Sequence, residues 1–253
     1  MCINKEIKYL NGKLSEVYYD LERFKLFIGE DKFLFGICSP KGKETPLSKL
    51  MQFKTIYDTL MDLDWKIKLS FKKGIEYAYS KEVQENFDLL HVTSEEEKLA
   101  YYYIENALFR TSSLWDMLAQ LYCLFYDAKI PKTKIHYKNI FNPKSEENSK
   151  FNNNDSFNSK AIEIYNYIQE KDNTNIDGQW KGNHKFTNAY RNQMTHRNSP
   201  NIASMSDYDL NLKNHPSFIL KRSIEDYTVV SNYLKEILDE IENNMIKNFE
   251  KCI

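Results

Sequence analysis

From Glu95 to Asp127 no Gly or Pro interrupts the chain, and Ser94 stands three residues before Glu97 in the spacing of a capping box. The run predicts one helix on the order of 50 Å long, stopped by Pro131. A second long run follows Pro216. In it Leu220, Ile224, Tyr227, Val230, Leu234, Ile237, Ile241 and Met245 recur at intervals of three and four, an amphipathic seam along nearly the whole segment. Helices of this length need partners for their apolar faces, and the economical solution is an up-and-down bundle.

Shorter helices fill the bundle. Ala161 to Glu170 has helical spacing in Ile162, Ile164, Tyr165 and Ile168. The turn Asp177-Gly178 precedes a helix from about His184, which Asn198-Ser199-Pro200 ends. Residues 141–160 (FNPKSEENSKFNNNDSFNSK) are rich in Asn, Ser and Lys and are expected to form a mobile surface loop.

Residues 1–85 read differently, as a small mixed α/β appendage to a helical bundle spanning 90–253. Phe24 to Ile28 and Phe33 to Ile37 flank Gly29-Glu30-Asp31-Lys32, the pattern of a hairpin. Lys66-Ile67-Lys68-Leu69-Ser70-Phe71 alternates and ends near Gly74, which suggests a third strand. Between them Pro46 to Leu63 has helical spacing, with Thr45 as N-cap.

Charge and composition narrow the function classes. The net charge is -1, from 35 basic and 36 acidic residues, which argues against a broad nucleic-acid-coating surface but leaves room for a small phosphate pocket. Arginine, the better phosphate fork, occurs only at 23, 110, 191, 197 and 222. Cys2, Cys38, Cys123 and Cys252 are far apart, with no CxxC pair, so neither a zinc site nor a disulfide framework is expected. MCINKEIKYL lacks the apolar core of a signal peptide. The most apolar stretch, residues 99–126, contains Glu105, Arg110 and Asp116, which excludes a membrane span there. A reducing cytoplasm is the expected setting.

The segment Arg191-Asn192-Gln193-Met194-Thr195-His196 carries the chemistry. On a helix Asn192 and His196 are four apart and share a face. The long stem of Arg191 lets its guanidinium reach the same place. An imidazole titrating near neutrality can exchange protons while a fixed cation stabilises charge on a phosphorane. Neither metal nor cofactor is called for.

Arg191-Asn192-xxx-His196 resembles the motif of the HEPN superfamily, helical bundles with an Arg followed at four to six residues by His. The likeness extends over about residues 90–250, where a long helix, a motif helix and a C-terminal helix come in a fitting order. Leu108-Phe109-Arg110-Thr111-Ser112-Ser113-Leu114-Trp115-Asp116 is similar to the opening helix of one bacterial branch.

This resemblance implies a metal-independent endoribonuclease of bacterial defence, toxin–antitoxin or stress systems. It would act as a homodimer whose two motifs face each other in a composite site, with RNA as substrate and an antitoxin or defence protein as a further partner. It assigns Arg191 and His196 to catalysis, with Asn192 in support. Some members have lost catalysis and bind nucleotides or partners, which is the alternative for this chain.

Glu105, Ser112, Asp116 and Gln120 make a polar stripe on the long helix. It is either a solvated face or a face turned toward the motif helix, with Asp116 orienting His196 or Arg191. Arg197 offers a second phosphate contact, or is an exposed cation favourable to a helix C-terminus. Arg110 is a weaker substrate-binding candidate, on a different side of its helix from Asp116. His136, His184 and His215 lie in or beside loops and read as structural or surface groups. Trp180 and Tyr190 could stack on a base, but read first as core residues.

Overall fold

The computed structural model describes residues 3–24, 46–151, 154–173, 180–196, 199–206 and 209–250. Its helices are α1 (Ile3–Glu16), α2 (Pro46–Ala78), α3 (Lys81–Asn86), α4 (Glu95–Phe125), α5 (Tyr137–Ile140), α6 (Glu146–Ser149), α7 (Asp155–Gln169), α8 (Asn183–His196) and α9 (Pro216–Glu250). A short antiparallel pair, β1 (Ser204–Ser206) and β2 (Asp209–Asn211), links α8 to α9. The described chain is mainly helical and forms a bundle built on α2, α4 and α9.

The long helix α4 begins as the sequence predicts. The Ser94 hydroxyl accepts from the Glu97 N–H, while the Glu97 carboxylate accepts from the backbone and hydroxyl of Thr93 (3.0 and 3.1 Å). Its C-terminus comes several residues before Pro131. Asp127 takes a left-handed φ of 52°, Ala128 N–H donates to Cys123 O (2.9 Å), and Asp127 N–H reaches Leu124 O. This is a Schellman stop with Asp in the position Gly usually fills. In α9 the expected seam is buried from Leu220 to Ile241, each large side chain contributing about 1.5–3 kcal/mol.

The third strand expected at Lys66 to Phe71 is corrected: these residues lie inside α2. Ile67 and Phe71 are fully buried, whereas Leu69 between them is 46% exposed. That is helical periodicity, not alternation. Gly74 does not end an element. A Cβ there would meet side-chain atoms of Leu220 and Ile104 at 3.2 and 3.3 Å, so glycine lets α2, α4 and α9 approach closely.

The hairpin expected at 24–37 lies outside the described residues from 25 onward. Phe24 itself is buried and stacks on Phe53. The boundary expected near residue 85 does not separate two cores, because Leu10, Phe53, Leu60 and Phe71 belong to the same buried cluster as α4 and α9.

The loop expected at 141–160 is likewise corrected where it is described. Phe141, Phe151 and Phe157 are buried. Phe151 and Phe157 stack at 3.8 Å, and Phe141 and Phe157 meet Tyr122 of α4 edge-on. Asn148 Nδ2 donates to Ile140 O (2.8 Å), and Ser145 and Asn154 cap α6 and α7. Two of the Asn and Ser residues that suggested disorder, Ser145 and Asn154, act as helix caps. No described helix is long and apolar enough to cross a membrane.

Candidate functional site

The start of α8 is fixed by a buried arginine. Arg222 of α9 is fully buried; its Nε donates to Asn183 Oδ1 and its Nη2 to Lys181 O, both at 3.0 Å, while Asp172 pairs with Nη1 at 2.6 Å. Phe186 lies against its guanidinium at 4.2 Å. Gly182, at φ 71°, passes so close to Lys171 and Asp172 that a Cβ would come within 2.6 Å of their backbone. Glycine is therefore required just before the helix.

From that anchor, His184, Thr187, Asn188 and Arg191 fall at i, i+3, i+4 and i+7 and line one face of α8. With Ser112 and Trp115 of α4 and Tyr137 of α5 they enclose a cavity of about 20 Å³, room for a single water.

At the buried end, Asp226 of α9 is the hub. One carboxylate oxygen accepts from Tyr167 OH (3.1 Å) and His184 Nδ1 (3.2 Å), the other from Thr187 Oγ1 (3.2 Å) and Trp115 Nε1 (3.3 Å). With Nδ1 donating to a carboxylate, Nε2 of His184 accepts from Tyr137 OH at 3.0 Å. Burial, then the nearby Asp226 charge, holds the Tyr137 phenol far above its ordinary value, with Arg191 opposing.

At the open end, Arg191 is half-buried and its Nη2 donates to Asn192 Oδ1 (3.2 Å). His136 and Lys138 approach from the α5 side. Lys138 Nζ donates to Asn188 Oδ1 (3.3 Å). His136 Nδ1 accepts from Lys138 N–H, and its Nε2 lies 3.8 Å from Asp116 Oδ1. Asp116 also accepts from Tyr137 N–H (3.2 Å). Burial lowers the pKa of His136, with Asp116 opposing and Lys138 and Arg191 lowering it further. Burial and then Arg191 likewise lower that of Lys138.

The sequence-derived candidates fall as follows. Arg191 and Asn192 are brought together by a hydrogen bond. Asp116 stands beside the same patch, but it holds His136 and Tyr137 rather than Arg191. His196 is the last residue of α8, and its side chain is outside the described set, as is all of Arg197. Arg110 is not in the cavity lining; its guanidinium bonds Asn106 O and Oδ1 in its own helix.

Of the polar stripe on α4, Glu105 bonds Asn201, Ser112 lines the cavity and Gln120 is exposed. Tyr190 is buried and bonded to Asn201, and Trp180 packs on Phe218 and Lys221. Among the described residues no cluster of three metal-ligating side chains forms.

His184, Asp226, Tyr137, His136 and Lys138 were not singled out as site residues from sequence. A signal for the first two was present. His184 starts the polar spacing that ends at Arg191, and Asp226 interrupts the apolar run between Ile224 and Tyr227. No family model, curated protein or solved structure matches the chain.

Proposed function

We propose that the chain is a HEPN-type, metal-independent endoribonuclease of bacterial defence or stress response, acting as a homodimer with a composite site. The observation that carries this reading is the state of Arg191. Arg23 and Arg222 are neutralised by carboxylates, and Arg110 bonds its own helix. Arg191 also bonds an amide of its own helix, but unlike Arg110 it lines the small cavity beside α4 and has His196 five residues on. An arginine oriented by a neutral group keeps its full charge for an incoming phosphate.

In the proposed reaction the ribose 2′-oxygen attacks the adjacent phosphorus as its proton leaves to a base. The 5′-oxygen departs with a proton, leaving a 2′,3′-cyclic phosphate and a 5′-OH. His196 handles the protons, Arg191 stabilises the phosphorane charge, and Asn192 fixes the guanidinium. The second reading is a nucleotide- or partner-binding module without cleavage. It is favoured by the buried His184, whose ring nitrogens are both occupied.

End-group analysis separates the two readings. Purified protein incubated with RNA in excess EDTA should yield fragments with 2′,3′-cyclic phosphate and 5′-OH ends. Binding without fragments supports the module. Fragments with 5′-phosphate ends contradict the proposed chemistry.

A further inference from the structure

Between Asp127 and Glu146 the chain carries Lys129, Lys132, Lys134, His136, Lys138 and Lys144 and not one acidic residue. The net charge of -1 hides this local excess. Elsewhere on the described surface many lysines sit against carboxylates, as in Lys49–Asp127 (2.8 Å), Lys54–Asp58 (2.7 Å) and Lys73–Glu76 (2.7 Å), and the lysines without an ion pair, such as Lys5, Lys72 and Lys235, are not gathered in one acid-free run. Among the described residues Lys129, Lys132, Lys134 and Lys138 form no ion pair.

The end of this run is pressed onto α8. Tyr137 is bound by His184, and Lys138 reaches Asn188, one turn before Arg191. The cations Lys138 and Arg191 are thereby gathered beside the His136 imidazole, with Asp116 facing them as a carboxylate. The repulsion between Lys138 and Arg191 costs free energy in the empty protein, and an anion placed between them, within reach of the His136 ring, would offset it. Pro131 and a 3-10 turn (Lys132–Lys134) keep the preceding lysines close; even fully extended, Lys132 lies within roughly 20 Å of Lys138.

We propose that His136 and Lys138 share a phosphate-binding site with Arg191, and that Lys129, Lys132 and Lys134 extend it as a track for the backbone of single-stranded RNA. The choice of RNA rests on the ribonuclease reading, while the track rests on charge and geometry.

A short fluorescent 2′-O-methyl oligonucleotide tests the track, because it lacks the attacking hydroxyl and reports binding alone. Its anisotropy would be followed with the full chain from roughly 50 to 200 mM salt. Lys138→Gln should weaken binding roughly fivefold, the scale of one phosphate contact. Lys132→Gln with Lys134→Gln should reduce the salt slope by about 0.7 per lysine. Lys54→Gln with Lys73→Gln, a pair far from the track in sequence, should change neither.

No binding by the parent chain, unchanged affinity and slope in the track variants, or equal losses in the control pair would each overturn the proposal. The expected pattern together with intact natural RNA would leave the track standing and remove the ribonuclease reading. Cleavage of natural RNA with unaltered binding in the track variants would do the reverse.

Discussion

On the buried side of α8, Asp226 receives hydrogen bonds from Trp115, Tyr167, His184 and Thr187, and His184 has both ring nitrogens engaged. On the open side, Arg191 and Lys138 repel one another beside the His136 imidazole, with Asp116 as the nearest described carboxylate. Both regions are polar and they share Tyr137, yet they are built to opposite ends. A satisfied network in a low-dielectric interior rigidifies its surroundings; an unbalanced group of cations at the surface has its charge left over for a ligand. The contrast gives Asp226 and His184 the part of a frame, and the proposed binding falls to Arg191 and its neighbours.

The largest expected effect is on the frame. Asp226→Ala removes the acceptor of Trp115 Nε1, His184 Nδ1 and Tyr167 OH, while Thr187 keeps His184 O, and should cost about 3–5 kcal/mol in urea unfolding. A loss below about 1 kcal/mol would break the distinction. Tyr137→Phe removes the phenol that His184 Nε2 accepts from, and should cost about 1–2 kcal/mol. It should also weaken oligonucleotide binding, since that hydrogen bond docks α5 on α8. Lys138→Gln belongs to the other region: its unfolding free energy should stay within about 0.5 kcal/mol of the parent while binding falls. A destabilisation as large as that of Asp226→Ala would place Lys138 in the frame instead.

The smallest effect is in pH. His136 has a folded pKa below its ordinary value, from burial and from Lys138 of α5 and Arg191 of α8 outweighing Asp116 of α4. His215 is lowered as well, mainly by burial, with a backbone hydrogen bond and Glu97 and Glu6 opposing. The unfolded chain therefore takes up protons first as pH falls. Stability is full above about 6.5 and declines as pH drops through that value toward the folded pKa values. His136→Gln should make that decline shallower. A parent stability that rises on acidification through this window would contradict the sign.

Much of the bundle was legible because its long helices carry the apolar period of their own geometry: the run from Glu95 and the seam from Leu220 to Ile241 are buried as read. Lys66 to Phe71 misled because Lys and apolar residues happen to alternate, and only the exposure of Leu69 distinguishes helix from strand. Phe141, Phe151 and Phe157 are hidden among the Asn and Ser around them, of which composition does not reveal that Ser145 and Asn154 are caps.

At the site, Arg191 and Asn192 were legible from adjacency. His184 reads as a structural or surface group because it stands beside a loop. Asp226 escaped notice inside an apolar seam, and Lys138 and His136 meet α8 only through tertiary packing.

The decisive measurement is cleavage of a natural single-stranded RNA in excess EDTA by the parent chain, Arg191→Ala and His196→Ala, with folding of each checked by urea unfolding. The account predicts cleavage by the parent and a loss of at least about a hundredfold in both variants, at unfolding free energies close to the parent's. Equal RNA degradation by all three proteins would contradict it.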